Sequence, residues 1–303
     1  MSKNDKTRRL KSHASSSFNI RTRTEKIILS VFFVLYICYA ITLFFPMIWA
    51  GYNSLKGMRA YNENSFNFPK FSEMRWDNYI NIFDENVMKV SIPFAIFNTL
   101  WRTIGSVTIG IFFTACTSYV VCKYSNKFKW LNHIYTFVVT IMIVPVLGST
   151  AAAYEINHNI LQIANKPHLW WITWTSGIGF GFLMQYSAWK NLSWNYAEAA
   201  FIDGASNFQV FFKIMMPMVK PILTALFVVN FISGWGEYMT TIMYMDEWPS
   251  LGYMVYSLQN SAKYFGMPMY FAVIMISMIP TIGIFIAFQE TIMQNMTTGG
   301  LKG

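Results

Sequence analysis

The sequence predicts an all-α integral membrane protein with six transmembrane helices and a cytoplasmic loop between spans four and five. Three observations carry this. Only 12% of the 303 residues are charged, while 54% are hydrophobic and 18% aromatic; a soluble chain carries about 25% charged residues. Six segments hold the roughly 20 mostly apolar residues that cross a hydrocarbon core: 27–50, 93–121, 131–151, 169–189, 219–245 and 268–290. With the N-terminus inside, the cytoplasmic segments take the larger share of the 23 Lys and Arg, as the positive-inside bias requires. Both termini are therefore expected in the cytoplasm. The chain divides into a basic segment, 1–26, and a six-span domain, 27–303, whose large cytoplasmic loop is 191–217.

Each element follows in order. Residues 1–26 are basic and rich in Ser and Thr. The apolar run after them is too long for a signal-peptide core and lacks a small-residue cleavage site, so it reads as a retained first span. Pro46, Pro145 and Pro280 fall inside spans, where neighbouring helices and water satisfy the freed backbone groups. Trp49, Trp130, Trp170 and Trp171 are expected as interfacial anchors. Arg102, toward the outer part of span two, reads as a snorkelling cation rather than a substrate ligand. Cys38, Cys116 and Cys122 lie in or beside apolar stretches and read as small core residues. His13, His133, His158 and His168 have no metal-ligand spacing. The 20 Met residues read as apolar filler. The Gly-rich "GIGFG" at 177–181 sits inside span four and reads as close helix packing.

The loop between spans four and five is unusually polar and structured. A first helix is expected over about Asn195–Ile202. Gly204 supplies a turn. Ser206 and Gln209 form a capping box that opens a second helix, and Pro217 is expected to close it. Phe208, Phe211, Phe212 and Met215 make an apolar face on that second helix. Two readings stand: an ordinary loop in which Glu198 caps its own helix, or a knob that inserts into a partner and offers Glu198 and Asp203 to a basic surface.

Within span five, Glu237 is the one deep carboxylate. Ionisable groups at such depth face a cavity or the bundle interior. Asn230, Ser233, Trp235, Tyr238 and Thr241 add a polar and aromatic lining suited to a sugar, whose C–H faces cover rings while its hydroxyls meet amides and carboxylates. The other reading makes Glu237 a structural hydrogen-bonding group that ties helices together.

The cassette resembles the EAA motif of ATP-binding-cassette importer permeases: Glu198-Ala199-Ala200, then Gly204, then Ile214, with Met216 where Leu is usual, and Pro217. Its extended form "EAAFIDGAS", through Asp203 and Ala205, is similar to the carbohydrate branch. "FFPMIWAGYNSLKG" (44–57), "WGEYMTTIMYMDEWPSLGYMVYSLQ" (235–259) and the tail "MTTGGLKG" (296–303) resemble the corresponding parts of the six-span second permease of maltose-type transporters. Trp194 departs from the Pro that often precedes the motif.

That resemblance implies a permease of a sugar importer. It implies coupling helices in the loop, docked into a partner ATPase dimer, with a homologous second permease and an extracellular solute-binding protein. The contact for the binding protein is then expected between the last two spans, at Pro249, Ser250, Tyr253, Tyr256, Gln259 and Lys263. No cofactor is expected on this chain. It has no Walker A sequence, so ATP and magnesium belong to the ATPase. No catalytic residues, metal site or nucleic-acid partner are expected; the surrounding partners are bacterial cell-membrane lipid and a carbohydrate. Importers of the same type for glycerol phosphate, a peptide or an amino acid are the rival within the class. An ATP-independent secondary transporter or channel is the rival outside it, but convincing inverted repeats are lacking.

Overall fold

A computed structural model describes residues 23–84, 91–143, 149–175 and 179–298, without the side chains of 261–265 and 291–298. Most of the basic segment, Pro145, the end of the tail motif and the side chain of Lys263 lie outside the described residues. Every described element is helical. In order they are α1 (Arg23–Ser54), α2 (Met58–Glu63), α3 (Asp77–Asn81), α4 (Ile92–Tyr124), α5 (Leu131–Ile143), α6 (Ser149–Glu155), α7 (Phe180–Asn191), α8 (Asn195–Ile202), α9 (Asn207–Gln209), α10 (Met216–Trp235), α11 (Met239–Tyr244), α12 (Leu251–Phe265) and α13 (Met267–Thr298).

Among the described residues four helical stretches are long and apolar enough to cross a membrane: Arg23–Ser54, Ile92–Tyr124, Asn207–Trp235 and Met267–Glu290. They correspond to spans one, two, five and six. Helix α1 has no buried residue in its most apolar window. A helix apolar all round needs a hydrocarbon or protein environment. Only its end is packed: the Trp49 ring meets Phe271 edge-on at 5.1 Å, and Asn53 donates to the carbonyls of Trp49 and Ser65. There the outer segment folds back. Asn78 donates to the carbonyls of Ser54 and Lys56, and Lys56 Nζ donates to the carbonyl of Asn64 at 3.0 Å. Burial lowers the pKa of that ammonium.

Span four departs from a single long helix. Of span three, α5 and α6 are described, and a π turn, Ile156–Ile160, follows α6. Span four begins as a 3₁₀ stretch, Pro167–Trp174, before α7 starts after Gly179. Gly179 has φ +136°, which a side chain resists. The same 3₁₀ stretch turns Trp170 inward, so it packs on Tyr244 at 5.2 Å and is buried. The expected interfacial role thus falls to Trp171, which stays exposed, while Trp170 becomes core.

Span five also differs. The helix does not close at Pro217. It passes from Asn207 through a π segment, Val210–Met215, into α10. Proline lacks a donor and its ring strikes the carbonyl four residues back in a regular α-helix; a preceding π turn relieves both demands. The span then breaks at Gly236–Tyr238 and resumes as α11. The segment after it is not a simple loop. It forms α12, whose Leu251, Met254 and Leu258 sit one helical face apart and are buried with Phe231, Trp235, Ala272 and Val273.

Candidate functional site

Two regions gather the residues singled out in the sequence. The first is the cassette. Helix α8 ends as expected, and Gly204 adopts φ +81°. Ala205 N–H donates to the Ala200 carbonyl at 2.9 Å and Gly204 N–H to that of Phe201 at 3.0 Å, the paired bonds of a glycine-terminated helix. Ser206 and Gln209 then form the capping box in both directions. Its inner face is solid. Ala197, Ala200, Val210, Phe211 and Met215 pack with Tyr119 of α4 and Trp189 of α7. Tyr119 lies 4.7 Å from the Phe211 ring, and Trp189 Nε1 donates to Ser118 Oγ at 3.0 Å. Burying such side chains contributes about 1.5–3 kcal/mol each.

The outer face is left bare. Glu198, Ala199, Asp203 and Gly204 are exposed, as are Ile202 at 87% and Phe208 at 70%. The Ala pair therefore divides: Ala200 seats the helix and Ala199 stays outside with Glu198. Glu198 has no capping bond at the start of α8, where the N-cap is Trp194. Of the residues beyond the turn, Ala205 and Ile214 are half-buried and Pro217 is exposed. The expected apolar face on the second helix also splits: Phe211 and Met215 are buried, Phe208 and Phe212 are exposed.

The second region is a furrow between α4, α7 and α10. One part, ≈ 560 Å³, is lined by Ser106, Trp174, Gln185, Asn230 and Ser233 among others. Another, ≈ 360 Å³, is lined by Arg102, Asn157, Thr173, Glu237 and Thr240. Ser106, Trp174 and Gly234 belong to both, so the two adjoin. Trp174 owes its position to Gly105, since a Cβ there would stand 2.4 Å from the indole.

Arg102 is not a snorkelling side chain. It is buried, donates to Thr241 Oγ1 at 2.9 Å and pairs with Glu237 Oε2 at 3.1 Å. Glu237 lies at the break of span five rather than inside a helix. Its Oε1 accepts from Thr240 N–H at 2.8 Å and so caps α11. Ser250 joins the network by donating to the Glu237 carbonyl at 3.1 Å. Thr99 Oγ1 accepts from Leu251 N–H and Asn98 donates to the Pro249 carbonyl. Span two is thereby tied to both ends of the 236–250 turn.

The six residues expected along span five do not share one cavity. Asn230 and Ser233 face the larger part of the furrow and Glu237 the smaller. Trp235 and Tyr238 line a separate cleft of ≈ 280 Å³ with Tyr256 and Gln259, where Tyr238 and Tyr256 stack at 4.9 Å. Thr241 is buried in the network. Pro249 and Ser250, expected as surface contacts for a partner, are buried too, because the turn they form is bonded to span two. Tyr253 is half-buried, while Tyr256 and Gln259 remain exposed. Sequence reasoning missed Gln185 and Trp174. A lone amide between Met184 and Tyr186 in an apolar run was the available signal for the first; nothing local marked the second. Among the described residues no group of His, Cys, Asp and Glu could hold a metal ion.

Residues 88–297 match the family described as the binding-protein-dependent transport system inner membrane component. The chain belongs to that family. It is a multi-pass membrane transport component of the binding-protein-dependent class. Among its relatives is the diacetylchitobiose uptake system permease of Streptomyces coelicolor, 22% identical over 88% of this chain and 87% of that protein. Another is the sn-glycerol-3-phosphate transport system permease of Yersinia enterocolitica, 27% identical over 68% and 73%. A solved bacterial transporter that imports the acidic polysaccharide alginate contains a chain of the same fold, with a TM-score of 0.73 at 17% identity, covering 89% of this permease and 98% of that chain.

Proposed function

We propose that this chain is one permease subunit of an ATP-binding-cassette importer for a carbohydrate. It pairs with a homologous permease and an ATPase dimer and receives its sugar from an extracellular solute-binding protein. In this reading residues 27–303 cross the bacterial cell membrane six times, with spans three and four completing the four long helices. Both termini, the basic segment 1–26 and the coupling loop 191–217 are cytoplasmic. ATP and magnesium sit on the ATPase, and this subunit is not catalytic.

One observation carries the reading most strongly. The cassette is rigidly packed on its inner face yet shows Glu198, Ala199, Ile202 and Asp203 on its outer face. A loop that only connects spans has no use for an Ile that is 87% exposed beside two free-standing carboxylates. A knob that fills a cleft edged with cations does. Closure of the ATPase dimer on ATP would move this stiff unit as a body and open the furrow outward; hydrolysis would return it. A sugar suits the furrow better than a phosphate. Among the described lining residues the only cation is Arg102, already paired with Glu237.

The test is uptake by the assembled transporter in proteoliposomes with its binding protein outside and ATP inside. Tritiated diacetylchitobiose or maltotriose should accumulate only with ATP, and this chain alone should hydrolyse none. Uptake that proceeds without ATP, or hydrolysis by the purified single chain, contradicts the proposal.

A further inference from the structure

The side-chain carbonyl of Gln185 is buried and has no hydrogen-bond partner, and the residue is 1% exposed while lining the furrow. An unpaired buried amide costs a membrane helix stability that a leucine of similar volume would not. Packing alone does not account for it, so a donor that visits from the furrow is the physical alternative.

The surrounding groups define that donor. The hydroxyl protons of Ser106, Thr173 and Ser233 are given to the carbonyls of Thr103, Trp170 and Val229. Asn230 gives an amide hydrogen to Leu226. What these groups turn to the furrow is chiefly lone pairs. Glu237 adds a carboxylate whose side chain is 37% exposed, while Arg102, its counter-ion, spends donors on Glu237 and Thr241. Among the described lining residues Arg102 is the only cation, and it is held by that carboxylate. Phosphates and carboxylates find no unpaired cation there. Sugar hydroxyls bring donors. Trp174, fixed in its notch at Gly105, supplies an aromatic surface where the two parts of the furrow meet.

Resting on the carbohydrate reading above, we propose that this subunit carries its own subsite for a neutral, hydroxyl-rich sugar ring. Gln185 is its buried acceptor and Trp174 its stacking face, and the lack of an unpaired cation selects against anionic sugars and phosphates. The site is built from this chain's own α4, α7 and α10 and from the Pro167–Trp174 stretch.

The experiment compares wild type with Gln185→Leu, Trp174→Ala and Trp174→Tyr in the complete transporter, reconstituted with its binding protein. The probes are tritiated diacetylchitobiose and maltotriose as neutral sugars, and digalacturonate and sn-glycerol-3-phosphate as anions. Wild type should take up a neutral probe and not the anions. Gln185→Leu should raise KM for that neutral probe about tenfold, the scale of one lost hydrogen bond, with little change in maximal rate and an unchanged or higher melting temperature. Trp174→Ala should raise KM similarly, and Trp174→Tyr should restore most of it. If Gln185→Leu lowers the melting temperature or blocks assembly, the amide is structural and the subsite is overturned. Wild-type KM in Gln185→Leu overturns it as well. If wild type imports glycerol phosphate and no saccharide, the substrate class itself falls, a result distinct from either.

Discussion

The cassette and the furrow are built by opposite means. The cassette is local: the turn bonds of Gly204 and Ala205 and the capping box of Ser206 span at most five residues. The furrow is assembled from afar, with Arg102 meeting Glu237 across 135 residues and Thr99 meeting Leu251 across 152. A local unit can move as one piece. A site stitched between distant helices must change when those helices shift. The pairing suits a machine in which one end is pushed and the other opens.

Mutations should separate the two. The largest stability effect is expected for Glu237→Ala. It leaves a buried guanidinium without its counter-ion, and a fully buried pair broken from one side costs about 3–5 kcal/mol. Because Glu237 keeps some solvent contact, about 2–3 kcal/mol is expected. Arg102→Leu should cost less, since the stranded carboxylate can hydrate. Thermal unfolding of the purified complex measures both, and ATPase co-purification should survive both. An equal or reversed ranking would mean that the pair does not organise the break in span five.

Gly204→Val should do the converse. A β-branched residue at φ +81° is strained by about 1–2 kcal/mol or more and misdirects α9. Uptake should fall at least tenfold and ATPase recovery with it, while the chain still inserts and Arg102 and Glu237 stay paired. Glu198→Lys should weaken recovery without the strain. Loss of ATPase recovery in Glu237→Ala to the same degree as in Gly204→Val would erase the division between the regions. Smallest is Ser206→Ala, which removes one half of the capping box for about 1 kcal/mol. It should lower stability slightly and leave uptake near normal.

The same contrast explains what the sequence disclosed. Gly204, Ser206 and Gln209 act on their neighbours, so their spacing alone placed the turn and the cap. The long spans were legible from hydropathy. Pro217 misled because proline's rule for a regular helix does not cover a π turn upstream. Arg102 misled because its partner is distant in sequence, and a lone cation near a span end resembles a snorkelling one. The buried face of α12 was legible in principle through Leu251, Met254 and Leu258 at helical spacing. Trp174 could not be found from local pattern, since its place depends on a notch in another helix at Gly105.

The central claim is that the outer face of the cassette seats in the ATPase. A photo-reactive p-benzoylphenylalanine at Ile202, the most exposed apolar residue of the cassette, tests it directly in the assembled transporter. The same label at Tyr256, exposed on α12, is the control. The account predicts a covalent adduct between position 202 and the ATPase on illumination, diminished by Gly204→Val, and none with the ATPase from position 256. An efficiently labelled complex in which position 202 captures no ATPase would contradict it.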